Sequence, residues 1–380
     1  MGRKLIVKTV VFGAVLLAAS GLALAQGDVN KRLQEQEKQL KVQQQLMEIM
    51  QKKLEQLEKA TKDATVTKQD LDKLRLEIDA AAKKYAQNVA LPESLRDLKF
   101  YGDLRLRFHG IYGAGSRARN QGRFRLRFGF KKTWLEKQLE VVFRLATGSD
   151  ENPTSTNQTF DDNFDEKPVW VDRAYARYSP NAIKGLTIIG GKMANPFVHT
   201  DLVWDSDVNP EGVWVIYKVP GLGNVEPFIG AGYFQLVHNK AAPDSTLVVY
   251  ELGTNTKVTK DIKWTLALTY YDFDRHAMNY TEGKGKAGGN TVVDGALEAD
   301  EFNVINVTNK VSFKAFGHPM SVYADFVTNC GDEVTGKDNG FAIGYKVGQN
   351  KKKGDCSAFY KYARIEANST PGGFNDGDFG

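Results

Sequence analysis

The sequence predicts an all-β chain, an antiparallel transmembrane β-barrel preceded by an α-helical coiled coil. Three observations carry this. Apolar and cationic residues alternate along the strands, connections alternate between short and long, and the N-terminus reads as an export signal.

Residues 98–108 place Leu98, Phe100, Gly102, Leu104, Leu106 and Phe108 at even positions and Lys99, Tyr101, Asp103, Arg105 and Arg107 at odd ones. A strand sends successive side chains to opposite faces, so one face is apolar and the other charged. The pattern returns in 123–131, where Phe124, Leu126, Phe128 and Phe130 alternate with Arg123, Arg125, Arg127, Gly129 and Lys131. A soluble sandwich turns such an apolar face inward. A membrane barrel turns it toward lipid and keeps the arginines in a wet lumen.

The connections decide between the two. Strands are expected near 98–109, 122–131, 139–147, 170–178, 186–193, 212–218, 226–234, 246–253, 263–271, 302–313, 321–329, 340–347 and 355–365. The run 302–313 is long enough to carry a bulge. These are about 13 strands of a length that crosses the hydrocarbon when tilted, and about 16 are expected if the barrel is complete. Short links (132–138, 179–185, 219–225, 348–354) alternate with long ones (148–167, 194–211, 272–301, 330–339), as short periplasmic turns and long outer loops do. An odd strand count followed by Pro371-Gly372-Gly373 suggests that the barrel domain, 91–380, is truncated before its closing strand. Tyr101, Phe108, Phe130, Trp134, Trp264 and Tyr271 lie near strand ends, where interfacial girdles sit.

Residues 1–25 read as a signal peptide. Arg3, Lys4 and Lys8 precede an apolar core over 9–24, and Ala23-Leu24-Ala25 fits the small-x-small cleavage rule. The core is shorter than a spanning helix needs, which disfavours a permanent anchor. Over 26–90, Leu33, Leu40, Met47 and Leu54 recur every seven residues, with Met50 and Leu57 in the partner positions and Gln36 and Gln43 in the earlier ones. The register breaks near 61–67. Thr67 and Asp70 then open a second helix carrying Leu71, Leu74, Ile78 and Ala81. Heptad spacing favours a self-associating coiled coil, in the periplasm, over a solvated spacer.

The net charge of +5 carries no nucleic-acid signal. Cys330 and Cys356 fall at opposite ends of the barrel wall, too far apart for the Cα separation of about 7 Å that a bridge tolerates, so both are expected unpaired. The five histidines have no metal-ligand spacing. The run 283–289 is rich in Gly and Lys but lacks the phosphate-loop spacing. No cofactor, metal or catalytic residue is expected. The acids Asp150, Glu151, Asp161, Asp162, Asp165 and Glu166 read as a solvated loop.

Short motifs in a fixed order resemble a family of outer-membrane porins with an N-terminal coiled coil. They are Gly102-Asp103-Leu104-Arg105-Leu106-Arg107, Arg123-x-Arg125-x-Arg127-x-Gly129, Arg144-Leu145-Ala146-Thr147-Gly148, Asp172-Arg173-Ala174-Tyr175, Gly191-Lys192-Met193-x-Asn195-Pro196-Phe197, Trp204-Asp205, Asn209-Pro210-Glu211-Gly212 and Gly344-Tyr345-Lys346. Cys356 stands where the family pattern suggests Trp. The resemblance implies passive transport, contact with outer-membrane lipid, and a homo-oligomer with the trimer favoured.

With the apolar face toward lipid, Arg105, Arg107, Arg123, Arg125, Arg127, Arg144, Arg173 and Arg177 are expected to line the pore as a basic ladder favouring anions. They are equally expected to pair with Asp103, Glu140, Asp201, Asp205, Asp207 and Glu211, since stacked arginines repel one another. Residues 194–211, the third outer loop, long, acidic and carrying Trp204, are the candidate constriction, with the acids Asp201, Asp205, Asp207 and Glu211 facing the arginine wall; an ordinary surface loop is the alternative. The functional expectation is a water-filled porin for small polar or anionic solutes in a bacterial outer membrane. The alternative is a structural barrel whose coiled coil tethers that membrane to the cell wall.

Overall fold

Strand follows strand from residue 99 onward. The structure is a computed structural model and describes residues 97–111, 119–149, 152–240, 243–281, 286–299, 301–331 and 336–376. The expected signal peptide and coiled coil lie outside the described residues.

The strands are β1 (Lys99–Ile111), β2 (Arg119–Trp134), β3 (Leu139–Thr147), β4 (Gln158–Thr159), β5 (Val169–Tyr178), β6 (Leu186–Lys192), β7 (Glu211–Lys218) and β8 (Val225–Val237). They continue with β9 (Ser245–Lys257), β10 (Ile262–Asp274), β11 (Val292–Val293), β12 (Ala296–Leu297), β13 (Phe302–Ala315), β14 (His318–Asn329), β15 (Asn339–Gly348) and β16 (Ser357–Ile365). A short helix, α1 (His276–Thr281), sits between β10 and β11. One 14-stranded sheet holds all but the β11–β12 hairpin. Leaving out β4, which pairs only with β2, it is a path of thirteen strands from β1 to β16, in chain order and antiparallel at every step between neighbours. Each of the thirteen expected strands falls on one strand of this path. Among the described residues β1 and β16 share no ladder.

Short and long links alternate along the path, so all the short turns lie at one end of the strands and all the long loops at the other. The run expected to carry a bulge, β13, keeps an unbroken register with both neighbours. The register shifts fall instead at Arg144/Leu145 between β3 and β5, and at Gln235/Val237 between β8 and β9.

The apolar face of the first strands points outward. Phe128 is 53% exposed and Leu126 44%, with Phe100, Leu104, Leu106 and Phe108 more so, while the Arg125 side chain on the other face is only 15% exposed. Phe100 stacks on Phe128 and Phe130 tilts against Phe143 along the outer surface. Later strands continue this belt with Ile229, Tyr233, Tyr250, Leu252, Leu268, Ile343, Tyr345 and Tyr360. Tyr101 and Tyr271 do not belong to it. Tyr101 sits on the arginine face with its ring against Gly129, and Tyr271 is fully buried on the inner face of β10. Girdle position cannot be read from nearness to a strand end, because strand parity decides the face.

The inner face is wrapped around a core. Trp214, Phe234, Leu247, Val249, Tyr271, Phe273, Phe302, Val304 and Val327 project inward from β7 to β14 and pack on Met193, Phe197, Leu202, Val203, Trp204 and Val208, at the end of β6 and in the loop that follows it. Trp214 lies flat because Gly230 and Gly232 face it across the β7–β8 ladder. A methyl group at Gly230 would collide with the indole. Phe374, from the segment after β16, stacks on Trp204 at 5.3 Å and on Phe273 at 6.2 Å.

Candidate functional site

The loop between β6 and β7, residues 193–210, organises the interior. At one end Asp207 Oδ1 lies 3.7 Å from Arg127 of β2, and Asn209 accepts a bond from Arg173 of β5 at 2.8 Å. Further along, the N–H of Val198 donates to Glu251 of β9 at 2.7 Å. The Thr200 hydroxyl donates to Asp325 of β14. Phe197 meets Trp214, Phe234 and Tyr271 edge-on at 5.2, 5.4 and 5.6 Å. A loop of this length reaches strands from β2 to β14 only if the sheet curls around it. A flat sheet or a two-layer sandwich does not allow that set of contacts.

The arginines stand on the inner face of the first strands. Arg125 donates to Asp103 Oδ2 from Nε at 3.0 Å and Nη2 at 2.7 Å, and Arg127 Nε donates to Asp103 Oδ1 at 2.6 Å. Arg105 donates to the Asn157 side chain and Arg123 to the Asn157 carbonyl at 3.5 Å, so the stretch beside β4 caps the upper part of β2. Arg144 and Asp172 form an ion pair buried on both sides, and Asn209 donates to the other Asp172 oxygen at 2.8 Å. Arg105 faces Arg125, and Arg107 faces Arg123, across the β1–β2 ladder. On this face the arginines outnumber Asp103, Glu140 and Asp172. Arg107 and Arg177 are exposed and, among the described residues, form no ion pair.

The acids expected opposite this wall have mostly other partners. Glu140 lies 3.8 Å from Lys131. Asp201 takes Lys361 at 3.1 Å, and Asp376 takes the same ammonium at 3.0 Å. Glu211 pairs with Lys192 at 2.7 Å on exposed surface at the start of β7. Asp207 approaches Arg127 and accepts both the N–H and the hydroxyl of Thr156, at 3.2 and 3.0 Å. Asp205 accepts the N–H of Asp207 at 2.7 Å. Burial pushes its carboxyl up to about 6, with Asp207, Asp376 and Asp201 adding repulsion against the backbone bond that lowers it. Trp204 is not at a water-facing constriction but inside the aromatic core. His276 of α1, buried against Phe273, Phe302 and Phe374, is lowered to about 4 by that burial. Both cysteines are free and exposed, Cys330 at the long-loop end and Cys356 at the short-turn end.

Sequence reasoning missed Asp172, Glu251 and Asp325 as site residues. Asp172 was legible only as part of a motif, because the bulge that turns it inward beside Arg173 leaves no mark on the spacing. Glu251 and Asp325 did carry a signal. Each is the only acid of its strand and stands between apolar neighbours, and such a residue is stable only when turned inward with partners.

An outward apolar belt, a cationic inner face and a loop folded into the curve of one antiparallel sheet are the features of a porin-type wall. The sequence matches the family model described as "Putative porin" over residues 112–304, and the chain belongs to that family. Among solved structures it is similar to OmpF of Salmonella typhi in complex with daunomycin, at 12% identity and a TM-score of 0.44, covering 73% of this chain and 93% of that one. OmpT of Vibrio cholerae in its trimer form aligns at 13% identity and a TM-score of 0.39, covering 70% and 88%. An anion-selective porin from Comamonas acidovorans aligns at 12% and 0.35, covering 71% and 89%. No curated protein matches the chain.

Proposed function

We propose that the chain forms a water-filled channel in a bacterial outer membrane for passive diffusion of small polar solutes, with a preference for anions. The observation that carries this reading is the inner face of β2, where Arg123, Arg125 and Arg127 stand opposite outward Leu126 and Phe128. Apolar packing fills the interior along β7 to β14, so the wet path runs between the loop and the arginine wall of β1 to β5. Cations lining a narrow aqueous path lower the barrier for anions and raise it for cations. Asp207 and Asp205 on the loop set a transverse field across it. The outward belt takes lipid, and a homo-oligomer, with the trimer favoured, follows the porin reading.

The test is a reversal potential in a salt gradient across planar bilayers holding the full-length protein. Replacing Arg123, Arg125 and Arg127 together by Gln moves the preference toward cations. An unchanged potential with intact conductance removes these arginines from the path.

The packed interior supports a second reading, a structural barrel that tethers the outer membrane to the cell wall through residues 26–90. Conductance separates the two, since folded protein that never opens a channel leaves only the tether.

A further inference from the structure

A cavity of about 650 Å³ lies on the inner face of β5, β6 and β7, beside the short link 179–185. Its margin is cationic, with Arg177 on β5, Lys184 in the link and Lys218 at the end of β7. Its floor is apolar, with Ile189, Ile216 and Trp214. None of the described residues lining it carries a carboxylate. Lys218 reaches Glu226 at 3.1 Å in an exposed pair, which solvent screens. Among the described residues Arg177 and Lys184 form no ion pair. Glu140, the ladder partner of Arg177 on β3, turns to Lys131 instead.

Two needs therefore meet at one place. The margin gathers three cations, of which only Lys218 has a carboxylate partner among the described residues, and the floor presents half-buried Ile189 and Ile216 over the buried Trp214. A free phosphate answers only the first need and an alkane only the second. We propose that this cavity is a binding site for a small amphipathic anion, a carboxylate or sulfonate head on a short apolar tail, entered from the short-turn end. The head sits between Arg177 and Lys184, and the tail lies along Ile189 and Ile216 toward Trp214. The site rests on the channel reading only in that water reaches this face, and its occupancy is measured without any current.

The experiment is calorimetric titration of straight-chain carboxylates into full-length protein in nanodiscs, with empty nanodiscs subtracted. Affinity is expected to rise about fourfold for each methylene from acetate through butanoate to hexanoate, as burial of each group predicts. Hexanoate is expected to bind at least tenfold more tightly than hexanol. Lys184→Glu, in an exposed link that tolerates the change, weakens hexanoate at least tenfold. Ile216→Asn weakens hexanoate but leaves acetate unchanged. Affinity independent of chain length, hexanol equal to hexanoate, or Lys184→Glu without effect each overturns the proposal. In bilayers, hexanoate added on the short-turn side reduces current at lower concentration than from the other side. Steady current with no hexanoate binding sinks this site and leaves the channel, whereas hexanoate binding without current sinks the channel and leaves the site.

Discussion

The backbone N–H of Val198 donates to Oε1 of Glu251 at 2.7 Å, and that bond ties the loop after β6 to the inner face of β9. The Thr269 hydroxyl donates to the same oxygen at 3.2 Å. One turn further on, Asp325 receives Thr200 from the loop together with Asn306 at 2.6 Å and Thr308 at 3.0 Å from β13. Two buried acids on the wall thus hold the loop by groups that need an acceptor rather than a negative charge.

Glu251→Gln keeps a carbonyl oxygen for Val198 and is expected to leave both conductance and stability near those of the parent. Glu251→Leu strands the Val198 N–H in a buried place, which costs about 1–3 kcal/mol. Thermal unfolding followed by circular dichroism then shows a lower midpoint, and single-channel records show a larger, noisier current. Equal behaviour of the two variants means that this tie does not position the loop.

Trp204→Ala removes the ring that Phe197, Tyr271, Phe273 and Phe374 share. Truncating a buried tryptophan costs about 3–5 kcal/mol, and here the loss lands on the loop rather than the wall. The heat needed to unfold the protein on a denaturing gel drops, while the outer-belt strands keep their β signal. Trp204→Phe recovers most of the loss.

Asp205 supplies a pH response. Its carboxyl is raised from the ordinary value to about 6, so the folded loop holds the proton more tightly than the unfolded chain does. The contribution to stability is present at low pH and is lost as pH rises through about 6. Between pH 7.5 and 5 the loop loses one negative charge beside Asp207, which approaches Arg127, and the reversal potential moves toward anions. Asp205→Asn shows the low-pH value at both. His276, held near 4, stays neutral across this window, and His199, lowered by its burial, titrates below the usual histidine range. A full pH step in Asp205→Asn assigns the response to another group.

The two free thiols report on orientation. Cys330 follows β14 at the long-loop end and Cys356 precedes β16 at the short-turn end. A large membrane-impermeant maleimide is expected to label Cys330 on intact cells and Cys356 only after the outer membrane is opened. The reverse pattern inverts the orientation.

Much of the wall was legible in the sequence because its strands obey a two-residue period with opposite chemistries on the two faces, as 98–108 and 123–131 do. That period fixes which face Phe128 and Arg125 take, and link lengths fix the order of turns and loops. The interior was not legible in the same way. In β7 and β9 both faces are largely apolar, as Val213-Trp214-Val215-Ile216 and Leu247-Val248-Val249-Tyr250 illustrate. Such runs mark strands covered on both sides, a signal the sequence carries against a wholly polar lumen. Ion-pair choice was out of reach. Nothing local links Asp201 to Lys361, which the curl of the sheet brings together across 160 positions of the chain.

The irregularity at Arg144/Leu145 carries a consequence for how this wall tolerates change. Asp172 is the extra residue there, and because it is extra it shares the inner side with Arg173 rather than alternating with it. A one-codon deletion at 172 would restore an unbroken ladder between β3 and β5, and a sheet judged by its hydrogen bonds alone would look improved. The guanidinium of Arg144 would then sit buried with its carboxylate gone, a far worse defect than the kink. In this chain the imperfect strand is the one that neutralises Arg144.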